Sequence, residues 1–481
     1  MYAGRLDAAA NAFAAASRGA PPEEFLEYAR LELEQVLRRG HLEDGLERAS
    51  TVLRHVGSAL PRTRFAAIRS IVVNRAHLRL SGMNHVPIAE DEVPADTLLR
   101  LDVEWSIASA IAFVSPVLGR ALQMQFMREA LTSGAPKRVA QAFCLELGYL
   151  AISGVKNRAR CEALRLRALR ITEDLDDKQL LGTLEGSAGV ASFLFGRWRE
   201  AYERMAAGEK YLRDNAASAR WEIDILQVFG AAALVYLGRF RQLAELLPAY
   251  IREADERGDV YAKRGLQGWR SNTLWLALDD PAEASRRVAL VAIGDDEFHL
   301  HHYYELLARA QIELYSGRPE AAHDRVEAMW RPLRKSHTLR IQSVRIEAWH
   351  LRGRCALATA VSSPANRSEL LAAAKKAAAK LERESAAWAD AFAALLRAGV
   401  ATLTADVEDS VASLRSAIDL CEATNMEAYA AAAQLRTGQI ISGRESQRVV
   451  AEAMSYFERE QVANPTAFSD LLVPGQWTPR R

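Results

Sequence analysis

Apolar residues recur every three or four positions along nearly the whole chain, which is the spacing of one face of an α-helix. Leu226, Phe229, Ala233 and Leu237 form one such stripe. The breaks between these segments are short and polar, as at residues 215–218. β-Branched residues do not alternate with polar ones over any sustained stretch, so no β-hairpin is expected. The sequence therefore predicts an all-α fold.

The helix breaks recur at a nearly constant distance along the chain. Each break ends one apolar helix and opens the next. The five clearest breaks, spaced by 42, 42, 41 and 38 residues, lie at Gly154, Gly196, Gly238, Asp279 and Gly317. Because one helix pair cannot bury its apolar face alone, this repeat predicts a stack of helix pairs in sequence order.

The residues around these breaks resemble the tetratricopeptide (TPR) repeat. Gly196 is followed two residues later by the aromatic Trp198, and small residues stand at Gly189 and Ala201, where the two helices of a TPR unit approach each other closely. A plain TPR unit has about 34 residues, so a period of about 42 resembles the longer TPR variants of bacterial signalling proteins. The resemblance implies a TPR-like α-α superhelix with a concave surface.

The chain is expected to form one TPR-like α-solenoid over residues 1–481. Residues 83–95, with two prolines and three consecutive acidic residues, interrupt the rhythm and are interpreted as an inserted loop. The most regular repeats lie at 137–334. Residues 443–481 are interpreted as a C-terminal cap and tail.

The N-terminal residues start at an unusual point of the repeat. Gly4 stands at a position equivalent to the repeat turns, so a helix over residues 8–16 would be the second helix of a unit. A solenoid usually begins with a polar capping element. The pattern indicates a chain cut or split from a longer protein.

The composition is that of a folded protein without a strong charge. The 62 Lys and Arg residues against 61 Asp and Glu residues leave a formal net charge of +1, which argues against a nucleic-acid partner. The longest apolar run, Val228–Leu237, is shorter than the roughly 20 residues of a membrane span. Cys144, Cys161, Cys355 and Cys421 lie far apart, as free buried thiols of a reducing cytoplasm do. We expect a cytoplasmic protein with no membrane partner, and the excess of Arg over Lys indicates a bacterial genome rich in G and C.

A closer resemblance is carried by three longer stretches, at residues 94–106, 195–204 and 298–309. They are similar to the C-terminal region of large bacterial serine/threonine protein kinases. In that family a kinase domain and a STAND-type NTPase precede a helical repeat region. The resemblance implies a role in signal transduction, with upstream kinase and NTPase domains of a parent protein or a separate chain as partners.

Residues that carry catalysis are not recognisable in the sequence. It contains no GxxxxGK[ST] phosphate loop, no kinase His-Arg-Asp or Asp-Phe-Gly motif, no HExxH and no GxSxG. An SxxK match at 153–156 lies on a repeat turn. His299, His301, His302 and Glu305 form two pairs that point in different directions on a helix, so they are not expected to share a metal. We predict no catalytic, cofactor-binding or metal-binding residue.

The most plausible contact surface is the inner side of two adjacent units. Aligning the units on their turns places aromatic and polar side chains together there. The candidate partner-binding residues are Arg264, Trp269, Arg270, His301, Tyr304 and Gln311. A protein or peptide bound in the concave groove is the first hypothesis. The alternative function is the sensor region of a STAND-type transcription regulator that binds a small-molecule inducer or an inhibitory protein. The aromatic residues could instead pack one helix pair on the next.

Purified protein is expected to show neither ATP hydrolysis nor protein phosphorylation, because the sequence has no phosphate loop and no Mg²⁺-binding motif. Steady-state phosphate release by the pure chain measures this. Saturable turnover that co-elutes with the protein would contradict the non-enzymatic interpretation.

Overall fold

The computed structural model describes residues 42–112, 115–216, 219–292 and 298–477, together with scattered positions between 12 and 36. These residues form helices and connecting turns and contain no β-strand. The prediction of an all-α fold is confirmed for this part of the chain. The helix predicted over residues 8–16 lies largely outside the described residues.

The α-helices pack in neighbouring pairs along the chain. The first six are α1 (Leu42–His55), α2 (Arg64–Ser81), α3 (Ala95–Ile111), α4 (Pro116–Ser133), α5 (Pro136–Ile152) and α6 (Arg158–Leu175). The next eight are α7 (Lys178–Leu194), α8 (Trp198–Asn215), α9 (Arg220–Leu237), α10 (Phe240–Arg257), α11 (Val260–Gln267), α12 (Thr273–Ala277), α13 (Pro281–Leu290) and α14 (Leu300–Tyr315). The last eight are α15 (Pro319–Lys335), α16 (Gln342–Ser362), α17 (Arg367–Leu381), α18 (Ala387–Leu403), α19 (Val407–Ala423), α20 (Glu427–Ile440), α21 (Gly443–Arg459) and α22 (Pro465–Leu472). Within the described residues, no helix is both long enough and apolar enough to cross a bilayer.

All five predicted turns are present at the predicted residues. Each turn residue has a positive φ, with values of 95° at Gly154, 78° at Gly196, 72° at Gly238, 60° at Asp279 and 69° at Gly317. This left-handed conformation ends a helix and reverses the chain, and glycine adopts it without steric cost. The sequence period therefore corresponds to the structural repeat.

The first and second helices of each unit form an inner and an outer layer. In α9, a first helix, 16 of the 18 residues are buried. In α10, the second helix of the same unit, only Phe240, Leu243, Leu247, Ile251 and Ala254 are buried, spaced as one helical face. First helices are thus surrounded by other helices, while second helices expose one side to solvent.

The predicted inserted loop is fixed to the neighbouring helices. Glu90–Glu92 forms a single 3-10 turn, and the guanidinium of Arg138 on α5 donates to Glu90 at 2.6 Å. Arg138 is buried and also binds the Asp102 carboxylate through two nitrogens, at 3.0 and 2.8 Å. The guanidinium of Arg167 donates to the carbonyl oxygen of Met83 at 2.6 Å. One acidic residue of the loop is therefore an ion-pair partner.

Helix turns and helix starts that lie about 190 residues apart in the sequence contact each other. The backbone N–H of Val155, next to the Gly154 turn, donates to Gln342 Oε1, 187 residues later. A Cβ on Gly196 would overlap the Trp388 ring. Arg239, next to the Gly238 turn, pairs with Glu427, 188 residues later. The turns that follow α5, α7 and α9 thus contact the first residues of α16, α18 and α20, respectively.

The C-terminal segment is packed rather than extended. The Ala463 N–H donates to the Ala277 carbonyl at 2.8 Å. This hydrogen bond is a further contact between residues about 190 positions apart. The Phe468 ring on α22 packs edge-on against Phe240 at 5.3 Å between ring centres. Trp477 is buried, and its indole N–H donates to the Val473 carbonyl at 3.0 Å. The segment predicted as cap and tail is integral to the core up to this residue.

Gly196→Ala should destabilise the protein more than Gly317→Ala. Both turns have a positive φ, which costs an L-residue about 1–2 kcal/mol. A methyl group at 196 also overlaps Trp388, whereas at 317 it meets no atom within 4 Å. Overpacking adds about 1–3 kcal/mol. The midpoints of urea unfolding measure both variants, and equal shifts would argue against the contact between Gly196 and Trp388.

Candidate ligand cavity

A cavity of about 160 Å³ lies within the inner layer, where α3, α5, α7 and α9 approach α14 and the start of α16. Its wall is mainly apolar and aromatic. The lining residues are Trp105, Ser109, Ala112, Pro116, Cys144, Leu145, Gly148, Tyr149, Ile152, Gly182, Thr183, Gly186, Ser187, Val190, Phe193, Leu194, Leu212, Trp221, Glu222, Ile225, Leu226, Phe229, Trp269, Leu300, Tyr304, Ile341, Ser343 and Val344.

Three helical glycines shape this space in two different ways. A Cβ on Gly182 or Gly186 of α7 would come within 2.9 Å of Leu212 or Leu226, so these glycines let neighbouring helices pack closely. A Cβ on Gly148 of α5 would meet no atom within 4 Å. Gly148 therefore faces open space, and the missing side chain is part of the reason for the cavity.

The aromatic wall is held rigid by contacts between its own rings. Trp269 stacks on Tyr304 with 4.3 Å between ring centres and 22° between planes. Phe229 packs edge-on against Trp269 at 5.5 Å, and Phe193 packs edge-on against Phe229 at 5.1 Å. Such offset and edge-to-face pairs are the preferred aromatic geometries. The wall thus presents ring surfaces at fixed positions.

A break in one inner helix turns Trp269 and Arg270 in different directions. Helix α11 ends at Gln267, and the 3-10 turn Arg270–Asn272 separates it from α12. The Ser271 hydroxyl donates to the Leu266 carbonyl at 2.6 Å, and the Asn272 amide donates to the Gln267 carbonyl at 2.9 Å. Because these side chains satisfy the carbonyl groups that the break leaves free, the break is stable.

The thiol and phenol groups of the cavity wall stay protonated at neutral pH. Burial raises the pKa of the Cys144 thiol to about 12, and Cys144 is free, like the other three cysteines. Burial also raises the pKa of Tyr149 and that of Tyr304 above the ordinary value of a phenol. Of the described lining residues, Glu222 is the only carboxylate, and it is half-buried.

The six residues predicted from sequence separate into two groups. Trp269 and Tyr304 line the cavity, although only 4% of Trp269 and 6% of Tyr304 is accessible. Arg270 and His301 are not exposed donors beside them, because only 2% of Arg270 and 7% of His301 is accessible. Gln311 is likewise buried, and Arg264 is half-buried. Whether these residues contact a partner stays a prediction.

Arg270 belongs to a buried polar cluster centred on Glu347 of α16. The Glu347 carboxylate accepts hydrogen bonds from Arg270 Nε at 2.5 Å, from the Tyr303 hydroxyl at 2.7 Å and from the Tyr236 hydroxyl. The Arg270 guanidinium also lies 4.4 Å from the centre of the Tyr236 ring. Burial opposes the charge of Arg270, but Glu347 outweighs it and the pKa of Arg270 is raised well above its ordinary value. Arg270 therefore keeps its positive charge in the core.

The other two buried candidates have structural partners. The Gln311 amide donates to Thr273 Oγ1 at 3.3 Å, and its oxygen accepts from Arg354 at 3.4 Å. The His301 ring packs edge-on against Tyr261 at 4.8 Å between ring centres. Burial lowers the pKa of His301 well below its ordinary value, so this imidazole is neutral at pH 7. These contacts account for both side chains without a ligand.

The histidines at the start of α14 form a helix cap, with His299 as its N-cap residue. His299 Nδ1 accepts from the His301 N–H at 3.3 Å, and His302 Nδ1 accepts from the His299 N–H at 3.2 Å. This reciprocal arrangement is a capping box. Within the part of the chain that the structure describes, no three His, Cys, Asp or Glu residues group as metal ligands.

Sequence reasoning missed Gly148, Gly182 and Gly186, although a signal was present. Glycine inside a helix costs about 1 kcal/mol relative to alanine, so repeated glycines in α7 indicate a close approach or an open space. It also missed Glu347, because its partner Arg270 is 77 residues away.

The sequence matches no protein-family model and no curated protein. The geometry of the cavity and its surroundings therefore carries the functional argument.

Glu347→Gln should lower the stability of the protein by about 3–5 kcal/mol, because it leaves the buried Arg270 charge without a counter-charge. Glu445→Gln is the matched control. Glu445 pairs with Arg415 on the surface, where both side chains are more than half accessible, and its loss should cost less than about 1 kcal/mol. Urea unfolding compares the two variants; similar small losses would mean that the Glu347 pair does not hold the inner layer together.

Proposed function

We propose that this chain is a non-catalytic, TPR-like sensor region of a bacterial kinase-type signalling protein, and that it binds its ligand in the inner cavity. Upstream kinase and NTPase domains, in the same polypeptide or in a separate chain, would respond to ligand binding in the cytoplasm. The resemblance of residues 94–106, 195–204 and 298–309 to such kinases supports the assignment to signalling. The aromatic cavity is the observation that supports ligand binding.

The composition of the cavity wall is typical of a binding site. Ligand sites in proteins are concave and mostly apolar, with a few polar groups, and they usually exist before the ligand binds. The stacked pair of Trp269 and Tyr304 supplies such a preformed surface. Trp and Tyr are also the residues that contribute most to binding energy in interfaces.

A partner protein or peptide is one candidate ligand. It would place an apolar side chain in the cavity and contact Trp269 and Tyr304. Further along the array, the turns at Gly196 and Gly238 are already covered by Trp388 and Tyr456 of the same chain. The cavity, by contrast, offers a partner open space beside Gly148.

The alternative function is the sensor region of a STAND-type transcription regulator that binds a small-molecule inducer or an inhibitory protein. One observation favours a small molecule. The wall combines residues from 105–229 with residues from 269–344, so two stretches of the chain border the space. A ligand bound there would contact both stretches.

Gly148→Leu should abolish ligand binding without unfolding the protein. The new side chain projects into the open space of the cavity, and replacing a helical glycine favours the helix by up to about 1 kcal/mol. Thermal shifts are measured with a set of neutral, anionic and cationic fragments and short apolar peptides. Ligands that raise the melting temperature of the natural protein should have no effect on this variant.

Gly230→Ala is the matched control for this test. Gly230 is a buried helical glycine of α9 whose Cβ would also meet no atom within 4 Å, and it does not line the cavity. It should keep all ligand responses. Trp269→Ala is less informative, because removing a buried Trp costs about 3–5 kcal/mol by itself. If no fragment or peptide gives a shift that depends on position 148, the proposed site is wrong.

A further inference from the structure

Helix α2 exposes a row of apolar side chains to solvent. Ala67, Asn74 and Leu78 are buried on one side of α2, where the helix packs against α4. Because an α-helix has about 3.6 residues per turn, the apolar side chains on the opposite side share a sector of about 140°. They are at least 45% accessible, and they are Phe65, Ile68, Val72, Val73 and Leu80. Among the described residues, no other helix exposes so many large apolar side chains.

Helix α10 provides a comparison within the same chain. Its exposed residues are all charged, and they are Arg241, Glu245, Arg252, Asp255 and Glu256. Helix α9, by contrast, is buried along nearly its whole length and is enclosed by other helices. Helix α2 has apolar side chains on both sides, but no described helix covers its outer side. A contiguous apolar patch on a protein surface marks an interaction site, so the outer side of α2 is suited to a second neighbour.

The exposed side of α2 is also positively charged. The helix contains no Asp or Glu. Arg69, Arg75 and Arg79 are exposed, and among the described residues none of the three has an ion-pair partner. Charged groups that meet across an interface are arranged with opposite signs. These arginines therefore favour a partner that carries carboxylates.

The position of the arginines on α2 separates three kinds of partner. By helical spacing, Arg69 and Arg79 lie inside the apolar sector, between the exposed apolar side chains. A helix that lies on a membrane surface keeps its charged residues on the face opposite to the apolar one, and in α2 that opposite face packs against α4. A second copy of α2 would place arginine against arginine. A helix with carboxylates beside its apolar residues, however, can pair with arginines inside the sector.

We propose that α2 docks an acidic amphipathic helix of a partner protein. The apolar side of that helix packs on Phe65, Val72 and Leu80, and its carboxylates pair with Arg69 and Arg79. Helix α2 has 18 residues, so it is about 27 Å long and matches a partner helix of about five turns. No described residue of α2 lines the cavity. The docking surface is therefore separate from the ligand site and does not depend on the proposed function.

Fluorescence anisotropy with three labelled synthetic peptides tests this surface. The first peptide is an acidic amphipathic helix built of repeated Leu-Glu-Ala-Leu-Glu-Glu-Ala heptads. The second contains the same residues in scrambled order, and the third has Lys in place of every Glu. The acidic peptide should bind saturably to the natural protein, and the other two should bind at least about tenfold more weakly. Amide hydrogen exchange of residues 64–81 should become slower when the acidic peptide is bound.

Val72→Glu should weaken the binding of the acidic peptide at least about tenfold, because it places a like charge inside the apolar sector. Val407→Glu is the matched control and should keep full affinity, since Val407 at the start of α19 is 59% exposed and Val72 is 60% exposed. Circular dichroism checks that both variants melt like the natural protein. Arg79→Gln should weaken binding about threefold through the loss of one surface ion pair. Arg331→Gln, which changes another exposed arginine, should have no effect.

The proposal is wrong if the acidic peptide does not bind, if the scrambled peptide binds equally well, or if Val72→Glu leaves the affinity unchanged. Two further measurements examine the other kinds of partner. Binding to vesicles of phosphatidylserine and phosphatidylcholine that Val72→Glu removes, without binding of the acidic peptide, would identify a membrane-binding surface. A dimer in sedimentation velocity that Val72→Glu dissociates would identify a second copy of the chain as the partner. Either result would overturn the acidic-helix proposal.

Discussion

One buried carboxylate, Glu347, joins three helical segments that lie far apart in the sequence. It binds Arg270 after α11, Tyr236 at the end of α9 and Tyr303 on α14. Burying an Arg is costly unless its charge is paired, so this contact favours one position of α16. Ser343 of the cavity wall stands one helical turn before Glu347, and Trp269 directly precedes Arg270. The ion pair therefore holds both sides of the cavity in place.

The tight curvature of the array explains why its inner layer is a core with a cavity and not a wide groove. Each unit is rotated slightly from the previous one, and in a solenoid these rotations accumulate. Here they bring the chain back onto itself after about 190 residues, as the contacts of Gly196 with Trp388 and of Arg239 with Glu427 show. Inner helices such as α9 are consequently buried on nearly every side, which matches their almost uninterrupted apolar sequence.

The sequence allowed the units to be predicted, but not how distant units meet. Glycine spacing located the turns, such as Gly154, because a local backbone requirement leaves a local signal. The burial of Arg270 could not be foreseen, since arginine on a helix is usually exposed and its partner belongs to another unit. Long-range contacts depend on small rotations between units, which the apolar pattern does not encode. The glycines of α7 did indicate close packing between helices, but this signal was not used to predict the site.

The return of the chain after about 190 residues also affects how the protein is made. Helix α9 leaves the ribosome about 190 residues before α20, the helix that covers its end. At a synthesis rate of about 5–20 residues per second, this interval lasts roughly 10–40 s. During that time α9 has been translated, but α20, which covers its end in the folded protein, has not. We expect a protein with this architecture to need chaperones, or slow and orderly translation, more than an open repeat array whose neighbouring helices are translated within seconds of each other.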